Sequence, residues 1–233
     1  MAGAGRVFQT IQVTDMHPPH KFILDQQTLW LSPDRCIYWE EEQALILADL
    51  HFGKSGHFRK EGIGIPQQVF REDLQRLFYQ IQFFRPKTLL IAGDLFHSEA
   101  NREMDLFLKW RQDIPQVEFL LIKGNHDILP EAFYRQANIR VEEKKLRIRN
   151  FCFMHDVSAG DEPAGGHFVF AGHIHPGIRI NGAGKQSFVL PCFYFSKKFA
   201  VLPAFSMFTG LYKLRPKKDD HVFLLVEHKI VHL

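Results

Sequence analysis

From Ala44 to His175 the chain alternates short, largely apolar runs with longer stretches of helical periodicity. The runs are Ala44–Ala48, Thr88–Ala92, Phe119–Ile122, Phe151–Met154 and Phe168–Ala171. Runs of this length without alternating polar positions fit strands buried on both faces of a sheet. Between the first two, Pro66 suits a first helical turn, and Phe70, Leu74, Leu77, Phe78 and Ile81 then recur on one helical face. Arg85–Pro86 ends that helix, because the residue before a proline is steered out of the α region. A second helix is predicted from Asn101 to Gln112, with Met104, Phe107 and Leu108 facing inward, and a shorter third one near Pro130. After Asn138 the pattern is strands and turns. The stretch His20–Trp39 reads as short strands, a hairpin packed on the main sheet. No repeat, low-complexity block or linker divides the chain. The expectation is one layered α/β domain over residues 1–233, opening βαβαβ and ending all-β, with its motifs in residues 44–210.

The ends of the apolar runs carry the chemistry. Each leads, with at most two residues intervening, into a side chain able to bind a metal. The endings are Asp49-Leu50-His51, Gly93-Asp94, Gly124-Asn125-His126-Asp127, His155 and Gly172-His173-Ile174-His175. Ligands of open α/β sheets sit beyond the carboxyl ends of the strands, so these residues are predicted to converge on one rim of one sheet. Singly, an Asp-x-His or a Gly-Asp is most often an ordinary turn. Five such endings in strand order are far harder to reach by accident. Oxygen and imidazole donors without thiolate suit Mn, Fe or Zn. Seven donors exceed one tetrahedral zinc and suit two metals sharing a carboxylate. Such a pair, roughly 3.5–4 Å apart, can clamp a phosphoester and activate a bridging hydroxide for in-line attack.

Composition narrows the setting. Of 233 residues, 45% are apolar and 24% charged, a globular balance that excludes disorder. No apolar run reaches the roughly 18 residues of a membrane helix, and no hydrophobic stretch of signal-peptide length opens the sequence. Three scattered cysteines (Cys36, Cys152, Cys192) make no disulfide framework. The expectation is a cytoplasmic protein with no membrane partner. A net charge of +3 neither demands nor excludes a polyanion.

The order Asp-x-His, Gly-Asp, Gly-Asn-His-Asp, His, Gly-His-x-His over Asp49–His175 resembles the calcineurin-like metallophosphoesterase family. That resemblance implies a two-sheet β-sandwich flanked by helices. It implies a first metal held by Asp49, His51, Asp94 and His175, and a second held by Asp94, Asn125, His155 and His173. It makes His126 a non-ligand that contacts the phosphate or protonates the leaving oxygen. His97 stands where many members carry a second acidic residue, and Asp127 replaces the commoner glutamate. Within the family, Asp49-Leu50-His51-Phe52-Gly53-Lys54 with His57-Phe58-Arg59, Gly93-Asp94-Leu95-Phe96-His97-Ser98, and Leu202-Pro203-Ala204-Phe205 with Phe208-Thr209-Gly210 resemble the bacterial ligase-associated DNA-damage-response enzymes. That subgroup implies a manganese-dependent DNA endonuclease working in DNA repair, with Fe or Zn as the other candidate metals. It also implies a link to an ATP-dependent DNA ligase and a helicase.

Lys54 and Arg59 follow the first metal motif and are the candidate contacts to a phosphodiester backbone, together with Asn125. Lys144, Lys145, Arg147 and Arg149 read as a solvated hairpin face after Glu142-Glu143. Outside the motifs the histidines read as structural or surface groups, with His57 the exception to watch. No zinc finger or basic arm is present, so the expected substrate is DNA cut without sequence-specific readout, single-stranded by preference. The enzymatic alternative is a phosphatase or phosphodiesterase acting on small nucleotides. A non-catalytic scaffold of the same fold is the third reading, opposed by the complete ligand set.

Overall fold

The computed structural model describes residues 17–54, 68–97, 102–157, 166–182 and 186–233. Its first sheet has seven strands: β1 (His20–Leu24), β2 (Gln27–Ser32), β3 (Cys36–Trp39), β4 (Ala44–Leu47), β5 (Thr88–Ala92), β6 (Glu118–Ile122) and β7 (Ile139–Glu142). These lie side by side in chain order, antiparallel from β1 to β4 and parallel from β4 to β7. Parallel neighbours need crossovers, which α1 (Gln68–Phe84), α2 (Arg102–Gln112) and α3 (Glu131–Gln136) supply. The second sheet holds β8 (Lys145–Ile148), β9 (Phe151–Met154), β10 (Phe168–Ala171), β11 (Pro176–Asn181), β12 (Ser187–Phe195), β13 (Phe199–Val201) and β14 (Tyr212–Lys213). β15 (His221–Val226) joins it through β12, and β16 (Lys229–His232) pairs with β15.

Strand periodicity divides the core. Leu45, Leu47, Leu89, Ile91, Phe119 and Leu121 face the helices, meeting Phe70, Leu74, Leu77 and Ile81 of α1 and Met104 and Phe107 of α2. Their neighbours Ile46, Ala48, Leu90, Ala92, Leu120 and Ile122 turn to the second sheet and meet Phe151, Phe153, Phe168, Phe170, Phe193 and Phe195. The interior between the sheets is thus largely aromatic. Trp39 and Phe151 sit 4.9 Å apart, and Phe151 and Phe170 5.0 Å apart. Full burial of each such ring contributes about 1.5–3 kcal/mol. The helix face of α1 is the one its spacing predicts, and Arg85 ends the helix with a left-handed φ of +50° just before Pro86. Pro66 and Asn101, the expected starts of the first two helices, lie outside the described residues.

Two expectations need correction. The strands between His20 and Trp39 do not pack on the main sheet as a hairpin; their backbones pair onto its β4 edge and extend it. The basic stretch after Glu143 is instead as expected, a hairpin of β8 with β9 whose Lys144, Arg147 and Arg149 are exposed. The metal-binding endings, for their part, do not share one sheet. β4, β5 and β6 belong to the first, β9 and β10 to the second. An apolar run reports burial on both faces but not which sheet the strand joins.

Candidate metal centre

The strand ends of the two sheets meet at one edge of the sandwich, where backbone hydrogen bonds tie the loops together. Asp49 N donates to Gly93 O, His51 N to Asp94 O, and Gly172 N to His155 O. Phe205 N and Ser206 N donate to Ala48 O and Asp49 O, so a later segment closes over the first loop. Asp49, His51, Asp94, His173 and His175 all have φ between +48° and +70°. A left-handed conformation at a non-glycine residue costs on the order of 1 kcal/mol or more and concentrates at functional sites. Five neighbouring positions carry it here because the loops turn sharply to aim their side chains inward.

Two clusters result, Asp49–His51–His175 and Asp94–His155–His173, with ligand atoms within 4.8 Å of one another in each. In the first, His51 Nε2 and His175 Nε2 are 3.3 Å apart, and Asp49 Oδ1 is 3.7 Å from His175 Nε2. In the second, His173 Nδ1 is 3.1 Å and Asp94 Oδ2 3.4 Å from His155 Nε2. Asp94 Oδ2 also stands 4.0 Å from His51 Nδ1, and so faces both clusters. Asn125 Oδ1 lies 2.9 Å from His155 Nε2. All seven residues named from the sequence as metal ligands are therefore at this edge.

The donor set fits metal. A backbone carbonyl can only accept, so His175 Nδ1 donates to Gly210 O at 3.2 Å and His155 Nδ1 to Ala92 O at 3.3 Å. Each ring then turns the lone pair of Nε2 into its cluster, the outer-shell arrangement that orients metal-binding imidazoles. Burial, aided by the charge of Lys54 and by the imidazoles of His175, His97 and His126, drives His51 down to about 2. It stays neutral, as a ligand must. Asp49 Oδ1 is fully buried with no hydrogen-bond partner, a costly state that a cation relieves. Burial pushes Asp94 up, opposed by His155 and the His126 N–H. The three cysteines sit buried in the packed core.

Supporting groups hold the geometry. Asp127 Oδ1 and Oδ2 accept from Phe96 N and Gly124 N, each at 2.9 Å, so it clasps the second and third loops. Burial raises it to about 7 despite those donors. His126 N donates to Asp94 Oδ1 at 2.9 Å, and the His126 ring stacks on His97 at 4.4 Å. Lys54 is half-buried beside the clusters and lowered by that burial, while Asp94 and Asp49 pull the other way. Arg59, the other candidate backbone contact, and His57 lie outside the described residues.

The motifs missed a brace behind Asp49. Arg35 Nη1 donates to Ala204 O and Ser206 O at 3.0 and 2.9 Å. Arg76, paired with Asp73, donates to Phe205 O. These arginines pin the segment whose Ser206 N–H meets Asp49 O. Asp156, 3.9 Å from His173 Nε2, was missed as well. A cavity of about 1100 Å³ beside Phe22, Met154, Val157 and Phe199 is lined by none of the seven candidate ligands.

Close packing at glycine makes a direct test. A Cβ on Gly124 would lie 2.2 Å from Asp94 Oδ1, and one on Gly172 2.4 Å from Asp49 Oδ2. The Gly124 Cβ would also lie 2.5 Å from Asp94 N, so in Gly124→Ala either Asp94 or the third loop must move. By analogy with outer-shell variants, metal affinity is expected to fall about 10–100-fold. Metal retained after dialysis against graded chelator measures it; unchanged retention would mean the third loop yields and Asp94 stays in place.

Residues 43–192 match the family model described as calcineurin-like phosphoesterase. Among solved structures, the chain is similar to nuclease MPE of Pseudomonas putida, with 28% identity and a TM-score of 0.79. That match covers 92% of this chain and 100% of the nuclease. YfcE, a phosphoesterase from E. coli, is more distant at 12% identity and a TM-score of 0.43, covering 82% of this chain and 97% of its own. No curated protein matches.

Proposed function

Because the chain belongs to the calcineurin-like phosphoesterase family, and is therefore a metal-dependent hydrolase, we propose that it is a DNA endonuclease of cytoplasmic DNA repair. The observation that carries this reading is the pair of adjoining donor clusters, in a chain similar along most of its length to a nuclease. Asp49, His51 and His175 are assigned to one divalent cation, and His155, His173 and Asn125 to the other, with Asp94 shared. Mn2+ is the proposed metal, since the donors mix carboxylate, amide oxygen and imidazole; Fe and Zn follow. Two such cations supply Lewis-acid polarisation of the phosphate oxygens and a water of lowered pKa as the nucleophile.

The chain's own groups do the rest. Asn125 is exposed at the lip and is assigned a second role touching the phosphate, while His126 is assigned the proton for the departing sugar oxygen. His173 is likewise exposed. Among the described residues, exposure of Asn125 and His173 favours a polymer over a small nucleotide, which is better served by an enclosed pocket. A functional link to an ATP-dependent DNA ligase and a helicase belongs to the same proposal. The test is metal-stripped protein given single-stranded DNA, duplex DNA, RNA or p-nitrophenyl phosphate, with Mn, Mg or Zn restored. Internal cuts in single-stranded DNA with Mn are the expected result. Hydrolysis of the monoester alone would end the endonuclease reading.

Lys54 supplies a second check. If it meets the DNA backbone, Lys54→Ala raises KM for DNA and lowers the slope of log(kcat/KM) against log salt by about 0.7–0.9, the value of one lost phosphate contact. Hydrolysis of bis-p-nitrophenyl phosphate changes much less. Equal losses on both substrates would place Lys54 in the metal chemistry itself.

A further inference from the structure

Among the described residues most large aromatic side chains are buried in the two cores, yet the segment closing over the metal centre exposes two, with a methionine beside them. Met207 is 60%, Phe208 42% and Tyr212 61% exposed. This segment is anchored on both sides of them. Ser206 N donates to Asp49 O, Tyr212 N donates to His175 O at 2.9 Å, and Gly210 O accepts from His175 Nδ1. Tyr212 also pairs with Pro176 in the β11–β14 ladder. Phe208 and Tyr212 are thus held within two residues of backbone contacts to two candidate metal ligands. Lys54 Nζ lies 5.9 Å over the Phe208 ring, so a cation and an aromatic ring sit together at the rim.

We propose that Phe208 and Tyr212 form a base-stacking subsite that binds unpaired nucleotides and positions their backbone at the metal centre. The inference rests on the endonuclease reading and goes beyond it by naming what selects the strand. Single-strand binding surfaces pair a cationic track with aromatic faces, because every base has a π-face and a phosphate beside it. Bases inside a duplex are already stacked on each other and cannot reach a protein ring. The subsite therefore favours single strands, loops and flaps, and tolerates any sequence. The charge of Lys54 beside Phe208 favours this occupant over an apolar protein surface.

The experiment compares two oligonucleotides of equal length, one of thymidine and one carrying a run of abasic sites, so that the backbone is constant. The Mn-loaded wild-type protein is expected to show a lower KM for the thymidine strand, by about 5- to 100-fold per stacked base. The double variant Phe208→Ala/Tyr212→Ala is expected to lose that preference. Its hydrolysis of bis-p-nitrophenyl phosphate, which has no bases to stack, should fall far less. Equal KM for the two strands in the wild type, or a preference kept by the double variant, would overturn the subsite. If the variant loses small-substrate hydrolysis too, Phe208→Trp/Tyr212→Trp decides: it must keep the thymidine preference, and losing it overturns the proposal. Cleavage of bis-p-nitrophenyl phosphate with no cleavage of any oligonucleotide would overturn the endonuclease reading and this subsite with it. A protein partner at these rings, seen as preference-free cleavage by a wild type that self-associates through them, would also overturn it.

Discussion

Asp94→Ala is expected to lower the occupancy of both metal positions and to abolish hydrolysis of every substrate. The argument is geometric. Asp94 Oδ2 faces His155 Nε2 at 3.4 Å and His51 Nδ1 at 4.0 Å, one group from each cluster. Its other oxygen accepts the His126 N–H, so alanine also releases the third loop. A variant behind a metal ligand typically costs about 10–100-fold, and loss of a shared ligand should exceed that range. Asp94→Asn separates the two effects, because the amide oxygen can still accept from His126 while the negative charge is gone. Metal content by atomic emission and hydrolysis of bis-p-nitrophenyl phosphate are the readouts. Near-normal activity in Asp94→Ala with Mn would refute the shared-ligand assignment. Normal activity in Asp94→Asn alone would show that the carboxylate charge is dispensable and the loop contact is what matters.

The strand ends were legible because burial writes itself as apolar runs, and because a turn after such a run has few places to put Asp, Asn and His. Helix α1 was legible for the same reason: its buried face repeats at helical spacing from Phe70 to Ile81. Sheet membership was not, since β6 and β9 read alike yet pair in different sheets. Only the order of motifs, through the family they resemble, implied the second sheet. The brace of Arg35 and Arg76 was hidden for another reason. Arg35 reaches Ala204 and Ser206 across 169 and 171 residues, and its partners are backbone carbonyls with no residue signature. The Gly210 carbonyl behind His175 is equally silent. Local pattern thus locates donors, whereas the groups that orient them are set by long-range contacts.

His126→Ala is expected to keep both metal positions filled while slowing DNA cleavage by about 10²–10⁴-fold, the usual worth of general acid–base catalysis. His126 belongs to neither donor cluster. Its backbone N–H bonds Asp94 Oδ1, its ring stacks on His97 at 4.4 Å and meets His51 edge-on at 5.6 Å. The imidazole is thereby held beside the clusters with its ring half-exposed to an incoming phosphate. A general acid matters in proportion to how badly the leaving group needs a proton. A sugar alkoxide is strongly basic, whereas p-nitrophenolate departs without help, so the loss on bis-p-nitrophenyl phosphate should be clearly smaller. Similar losses on both would mean that His126 binds the phosphate or steadies charge in the transition state instead. Loss of metal from the variant would move His126 among the ligands. A His97→Ala variant refines the outcome, because it removes the stacking partner while leaving the acid in place. Its DNA cleavage should fall by less than that of His126→Ala, with the same ordering of the two substrates, since a looser His126 still donates its proton but spends less time aimed at the leaving oxygen.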